Sequence, residues 1–145
     1  MKTKFYLCPK CGNVMMVCVD SQVTPSCCGQ QMQLMEPHTM DEMKESHLPV
    51  VDIVTEDTVK ANCDPFYLSH YNRRYHTRVC IGLHPHPMDD NHHICFIYYE
   101  TKRGGQIRYL RLDRPVNECF YSCDRPTAIY VYCNIHGLWM LQTIE

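Results

Sequence analysis

Apolar and polar positions alternate with a period of two along several stretches of the chain's second half, the pattern of strands buried on at least one face. His92 to Tyr99 places His92, Ile94, Phe96 and Tyr98 on one side and His93, Cys95, Ile97 and Tyr99 on the other, which suits a strand buried on both sides. Thr127 to Cys133 sets Ile129, Val131 and Cys133 against Tyr130 and Tyr132, so Cys133 is expected to share the core face of two β-branched residues. Ile107 to Leu112 is shorter and interleaved with arginines, as at a solvated sheet edge. Turn signals such as Arg103-Gly104-Gly105 and Asp124-Arg125-Pro126 bound these runs, and no helical period longer than about two turns appears. The expectation is a mostly β chain whose larger part is an antiparallel β-sandwich.

The first 36 residues have another texture. They are short of large aliphatics and carry two cysteine pairs separated by a polar stretch, Asp20 to Ser26. A unit below roughly 40 residues buries too little to fold without a metal or disulfide. Glu36 to Glu45 reads as a polar linker or one short helix, and Leu48-Pro49-Val50-Val51 opens the strand-rich part. The predicted organisation is therefore a small module over 1–36 and a sandwich over 37–145.

Composition turns this outline toward metals. Eleven cysteines and nine histidines occur in 145 residues. Met1 to Leu7 has lysines but no apolar run, and no later stretch is long enough to cross a bilayer, so a soluble, cytoplasmic protein without a membrane partner is expected. In a reducing cytosol closely spaced cysteines are more often ligands than disulfides, and an odd number cannot pair completely. The formal charge of -2 leaves no electrostatic footprint for nucleic acid.

Cys8-Pro9-Lys10-Cys11-Gly12-Asn13 is a metal knuckle, a turn in which backbone N–H groups point at thiolate sulfurs. Cys27 and Cys28, followed by Gly29, cannot easily bond to each other but can both reach one ion if the backbone bends sharply. Four thiolates in a tetrahedron suit zinc or a single iron, and spacing does not separate the two. Cys18 falls outside the pattern and is expected to pack. Further along, Glu45-Ser46-His47-Leu48-Pro49, His84-Pro85-His86-Pro87-Met88-Asp89-Asp90-Asn91-His92-His93 and Cys133-Asn134-Ile135-His136-Gly137 supply imidazoles and a thiolate. None of these pieces is diagnostic alone.

In this order they resemble the desulfoferrodoxin and superoxide reductase family over nearly the whole chain, and the N-terminal module resembles desulforedoxin and rubredoxin. The resemblance implies an immunoglobulin-like sandwich holding one iron with four equatorial imidazoles, carried over to His47, His86, His92 and His136, and one axial thiolate, Cys133. It also implies a second, tetrahedral iron on Cys8, Cys11, Cys27 and Cys28. An axial sulfur pushes electron density toward the opposite coordination position, which is left open for superoxide. Glu45, two residues before His47, is implied as a carboxylate that ligates the ferric form. The family's usual lysine between them is replaced by Ser46; the neighbouring Lys44, or Arg73, Arg74 or Arg78 from a segment around 60–82 that reads as an insertion, is a candidate to restore positive potential, although a solvated loop is the favoured reading of that insertion. A rubredoxin-like electron donor and a homodimer are the implied partners. His84 and His93 are rivals one or two places off the motif, while His38, His70 and His76 match nothing in it. Cys63, Cys80, Cys95, Cys119 and Cys123 are expected to be mostly buried thiols, with Cys119 and Cys123, or Cys63 and Cys80, able to form a redox-sensitive pair. The residues alone also fit an iron electron-transfer protein, or a zinc-binding adaptor without turnover.

Overall fold

The computed structural model describes residues 3–39, 48–57, 73–82 and 86–143, with the side chains of 54–57 and 73–74 outside that description. Its described residues form strands and turns without a helix, and the chain divides into two compact units, Met1–Pro37 and His38–Glu145.

In the first unit, β1 (Phe5–Leu7) lies between β2 (Val14–Met16) and β5 (Gln33–Leu34), and β3 (Ser26–Cys27) pairs with β4 (Gln30–Gln31). The buried apolar side chains here are Phe5 and the cluster of Tyr6, Cys8 and Met32, too little apolar surface to hold 37 residues by itself. The β3–β4 turn is Cys28-Gly29, with φ of 55° and 75°. Two left-handed residues in succession make the tight hairpin connection whose twist matches its strands. Glycine takes that conformation freely; a cysteine there is strained and must be held by something else.

The second unit is a sandwich of two antiparallel sheets. One contains β10 (Asn117–Ser122), β7 (Arg73–Ile81) and β6 (Pro49–Asp57) in that order; the other contains β12 (Gly137–Gln142), β11 (Ala128–Cys133), β8 (Ile94–Thr101) and β9 (Gly104–Tyr109). Val79, Ile81 and Phe120 from the first sheet meet Ile94, Ile97, Tyr99, Ile129, Val131 and Cys133 from the second. Tyr99 and Phe120, both fully buried, stack across the two layers with centroids 5.0 Å apart and planes within 11°. Each such side chain contributes about 1.5–3 kcal/mol by leaving water. As the alternation predicts, β9 is an edge strand, and Cys133 lies on the core face with Ile129 and Val131. Arg108 of β9 caps that edge, its guanidinium 4.6 Å from the Phe120 ring centre and 3.5 Å from Glu118.

Three local expectations are corrected. Arg73–Ile81, placed by the sequence within an insertion, is the central strand of its sheet, paired with β6 over nine positions and with β10 over six. Thr77, Val79 and Ile81 turn inward, whereas Arg78 is exposed, and those polar outward positions masked the alternation. On β8 the period of two breaks. Cys133 faces Ile94 while Tyr132 faces Phe96, so Cys95 is the extra residue of a β-bulge, and Ile94 joins Ile97 and Tyr99 in the core instead of sharing a side with Phe96 and Tyr98. Cys18, expected to pack, is exposed.

Candidate metal centres

The sulfurs of Cys8, Cys11, Cys27 and Cys28 all lie within 4.8 Å of one another. Cys11 and Cys27 are 3.6 Å apart and Cys27 and Cys28 are 3.9 Å apart. A tetrahedron with metal–sulfur bonds of about 2.3 Å has edges of about 3.8 Å, so the spacing is that of four ligands on one ion. The knuckle is built as its sequence requires: the N–H of Cys8 donates to the Asn13 carbonyl at 2.8 Å, and that of Gly12 to the Cys8 carbonyl at 2.9 Å. The Cys11 backbone N–H, with that of Lys10 and against the effect of burial, draws the Cys8 thiol down to about 6. Cys28 is pushed up to about 12 because its sulfur faces those of Cys11, Cys27 and Cys8. Four thiolates cannot share this volume as anions unless a cation sits among them, and a bound cation reverses the shift by deprotonating the thiols outright.

A second group gathers in the sandwich. One donor atom from each of His86, His92, Cys133 and His136 lies within 4.8 Å of all the others. For bonds of about 2.0–2.4 Å, ligands on opposite sides of an ion are about 4–4.8 Å apart, so this set also fits around one metal. Cys133 ends β11 inside the core with no exposed surface. A three-residue turn, Asn134 to His136, then reverses the chain into β12, closed by Gly137 at φ 83°. That turn folds His136 back over the sulfur. Its Nδ1 stands 3.7 Å from Cys133 Sγ, and its backbone N–H donates to the same sulfur at 3.4 Å, spreading thiolate charge.

His86 and His92 come from the loop before β8. The His92 ring sits between the other two, with centroids 4.6 Å from His86 and 4.9 Å from His136. His86 is 4 % exposed, and its Nδ1 lies 2.7 Å from the Pro87 carbonyl, which fixes the ring with Nδ1 as donor and leaves Nε2 for a metal. Burial, opposed by that carbonyl and aided by the neighbouring imidazoles, keeps His86 below its ordinary value; burial and His136 do the same for His92. Neutral imidazole is the form a metal needs. The loop is held by Asp89, whose Oδ1 accepts the N–H groups of Asn91 at 2.9 Å and His92 at 2.8 Å. The sequence reading passed over Asp89, although an aspartate two residues before an amide it can cap is a local turn signal.

His47 and Glu45 lie outside the described residues, as do Ser46, Lys44, His84, His70 and Cys63. His93 stays out of the cluster, its Nδ1 2.9 Å from the Asp89 carbonyl oxygen. His38 lies against Trp139 with centroids 4.5 Å apart, and His76 stacks on Tyr121 at 4.4 Å. Arg78 stands exposed on the outer face of β7 between Asp52 and Cys119. Cys80, Cys95 and Cys119 are half-buried rather than buried, Cys123 is exposed, and all four are free thiols.

The desulfoferrodoxin family model matches residues 39–142. A desulfoferrodoxin homolog of Archaeoglobus fulgidus is 36% identical over 137 residues, covering 92% of each chain. A superoxide reductase of Pyrococcus abyssi is 30% identical over 111 residues, 66% of this chain and 83% of that one. Among solved structures, the superoxide reductase of Treponema pallidum superposes with a TM-score of 0.69 at 21% identity, over 97% of this chain and 98% of the other, a likeness of fold. The four-cysteine cluster and the histidine–cysteine cluster match the two-iron architecture of desulfoferrodoxin.

Proposed function

The chain belongs to the desulfoferrodoxin family, and on that premise we propose that it is a superoxide reductase, adding one electron and two protons to superoxide to release hydrogen peroxide. The observation that carries this reading is the mixed donor set of the sandwich: three imidazoles and one fully buried cysteine sulfur converging within 4.8 Å. A purely structural zinc site fills its four positions, whereas imidazoles with a single sulfur suit a redox-active iron with a position left for substrate.

Iron held by these residues would supply the single electron. The chain's own part is to place and tune the donors. Cys133 would present its sulfur to the iron from the core side. The His136 N–H tempers the charge on that sulfur, and the Pro87 carbonyl locks the His86 tautomer. In this proposal His47, which precedes β6 in the sequence, would be the fourth imidazole, and Glu45 would be a carboxylate available to the same iron. The start of β6 is pinned by the Gly82 N–H donating to the Leu48 carbonyl at 2.8 Å. Superoxide is the substrate, a soluble one-electron donor of rubredoxin type the partner, and the four-cysteine iron a second one-electron store.

The test is pulse radiolysis of the reduced, iron-loaded protein. A reductase yields one peroxide for each superoxide consumed and evolves no oxygen. Consumption no faster than spontaneous decay, or oxygen evolution in the proportion expected of dismutation, would defeat the proposal.

A further inference from the structure

The donors of the sandwich cluster come from two pieces of chain whose strand pairing stops at Cys133 and Ile94, short of all three imidazoles. Cys133 and His136 flank the β11–β12 turn, whereas His86 and His92 sit in the loop before β8. The β8–β11 ladder starts only at the Ile94–Cys133 pair, beside the bulge at Cys95. Something else must set the loop against the turn.

Asn134 makes that connection. Its backbone N–H donates to the His93 carbonyl at 3.1 Å, its Oδ1 accepts the His93 N–H at 2.8 Å, and its Nδ2 donates to the Asn91 carbonyl at 3.0 Å. The side-chain amide thus behaves as an additional peptide group, prolonging the ladder past Cys133 and gripping the loop on both sides of His92. Because Asp89 already ties Asn91 and His92 together, the grip is passed to the His92 ring, which lies between His86 and His136. We propose that Asn134 is the positioning residue of this metal centre, fixing the His92 imidazole relative to the Cys133 sulfur without touching the ion. The inference rests on the reading of the cluster as a metal centre and not on turnover.

Outer partners that orient ligands are worth about 10–100-fold in metal affinity. The experiment is chelator-driven iron release from the iron-loaded full chain, followed with the sulfur-to-iron absorption of each site, in Asn134→Ala and Asn134→Asp. The four-cysteine site of the same molecule is the internal standard. Asn134→Ala should release the sandwich iron about 10–100-fold faster and shift its absorption band, with the four-cysteine site unchanged. Asn134→Asp keeps the acceptor for His93 and loses the donor to Asn91, so it should fall between Ala and the native chain. Release within about twofold of native with an unshifted band would overturn the proposal. So would equal acceleration at both sites, the sign of general unfolding, or Asp behaving no better than Ala. A chain that binds both irons but leaves superoxide untouched would defeat the reductase reading while this test still stands.

Discussion

Replacing Phe120 by alanine tests whether the sandwich core and the metal centre are one mechanical unit. Phe120 has no exposed surface, lies 5.0 Å from Tyr99 in a near-parallel stack, and carries the Arg108 guanidinium 4.6 Å from its centroid. Phe-to-Ala changes at such positions cost about 3–5 kcal/mol, the lost transfer energy plus the cavity left behind. The upper half of that range applies because the ring stack and the cation contact are lost together, each worth about 0.5–1.5 kcal/mol. The unit from His38 to Glu145 should have an unfolding entropy of about 0.23 kcal/mol per kelvin, so the expected drop in Tm is roughly 17–22 °C. Cys133 belongs to the same buried cluster, so iron at the sandwich site should be lost in the same transition. Scanning calorimetry of the iron-loaded full chain, with visible absorption recorded in parallel, reads both quantities. A drop below about 5 °C would show that Phe120 is not central to the core, and iron leaving well before the calorimetric transition would show that core and centre are uncoupled.

Two further outcomes are expected. In iron-free protein the folded state holds His86 and His92 below the ordinary histidine value near 6.5, so the unfolded chain binds more protons below that pH; stability should be full above about 6.5 and decline as pH falls through the depressed folded values. Urea titrations from pH 8 to 5 should show this, and a flat or opposite profile, or a slope unchanged in a His86→Gln, His92→Gln double variant, would refute it. Chelation of both irons should unfold the segment 3–37, whose buried apolar side chains are Phe5, Tyr6, Cys8 and Met32, and leave the ten-residue core of the sandwich folded; amide dispersion lost from both units, or from neither, would contradict that asymmetry.

How much of this was legible depended on whether a residue's chemistry or its surroundings decides its place. Ligand spacing is local chemistry, and Cys8 with Cys11 and Cys27 with Cys28 announced their cluster directly, whereas Cys133 and His136 joined the histidines of the loop only through the order of all the pieces along the chain. The alternation along Thr127 to Cys133 was equally plain, because one face is aliphatic. Strand β7 was obscured by its outward His76 and Arg78 and by the polar run before it, although Val79 and Ile81 keep the period. The bulge at Cys95 left no trace, since Ile94, Phe96 and Ile97 are apolar whichever side they occupy and only the partner strand fixes the register. Cysteine's general tendency toward burial misplaced Cys18, an instance where residue type outweighed the polar surroundings from Asp20 onward.

The sandwich centre divides its donors by rigidity. The sulfur is set at the end of a central strand, with Cys133 packed among Ile129, Val131 and the facing sheet, whereas the imidazoles come from a turn and a loop held by side-chain hydrogen bonds. A thiolate buried at zero exposure is costly without a cation, so the core that fixes the sulfur also favours the metal-bound state. The bulge at Cys95 belongs to the same arrangement, because only the Ile94–Cys133 pair separates it from the loop, and beyond that pair the orientation of His92 is left to Asp89 and Asn134.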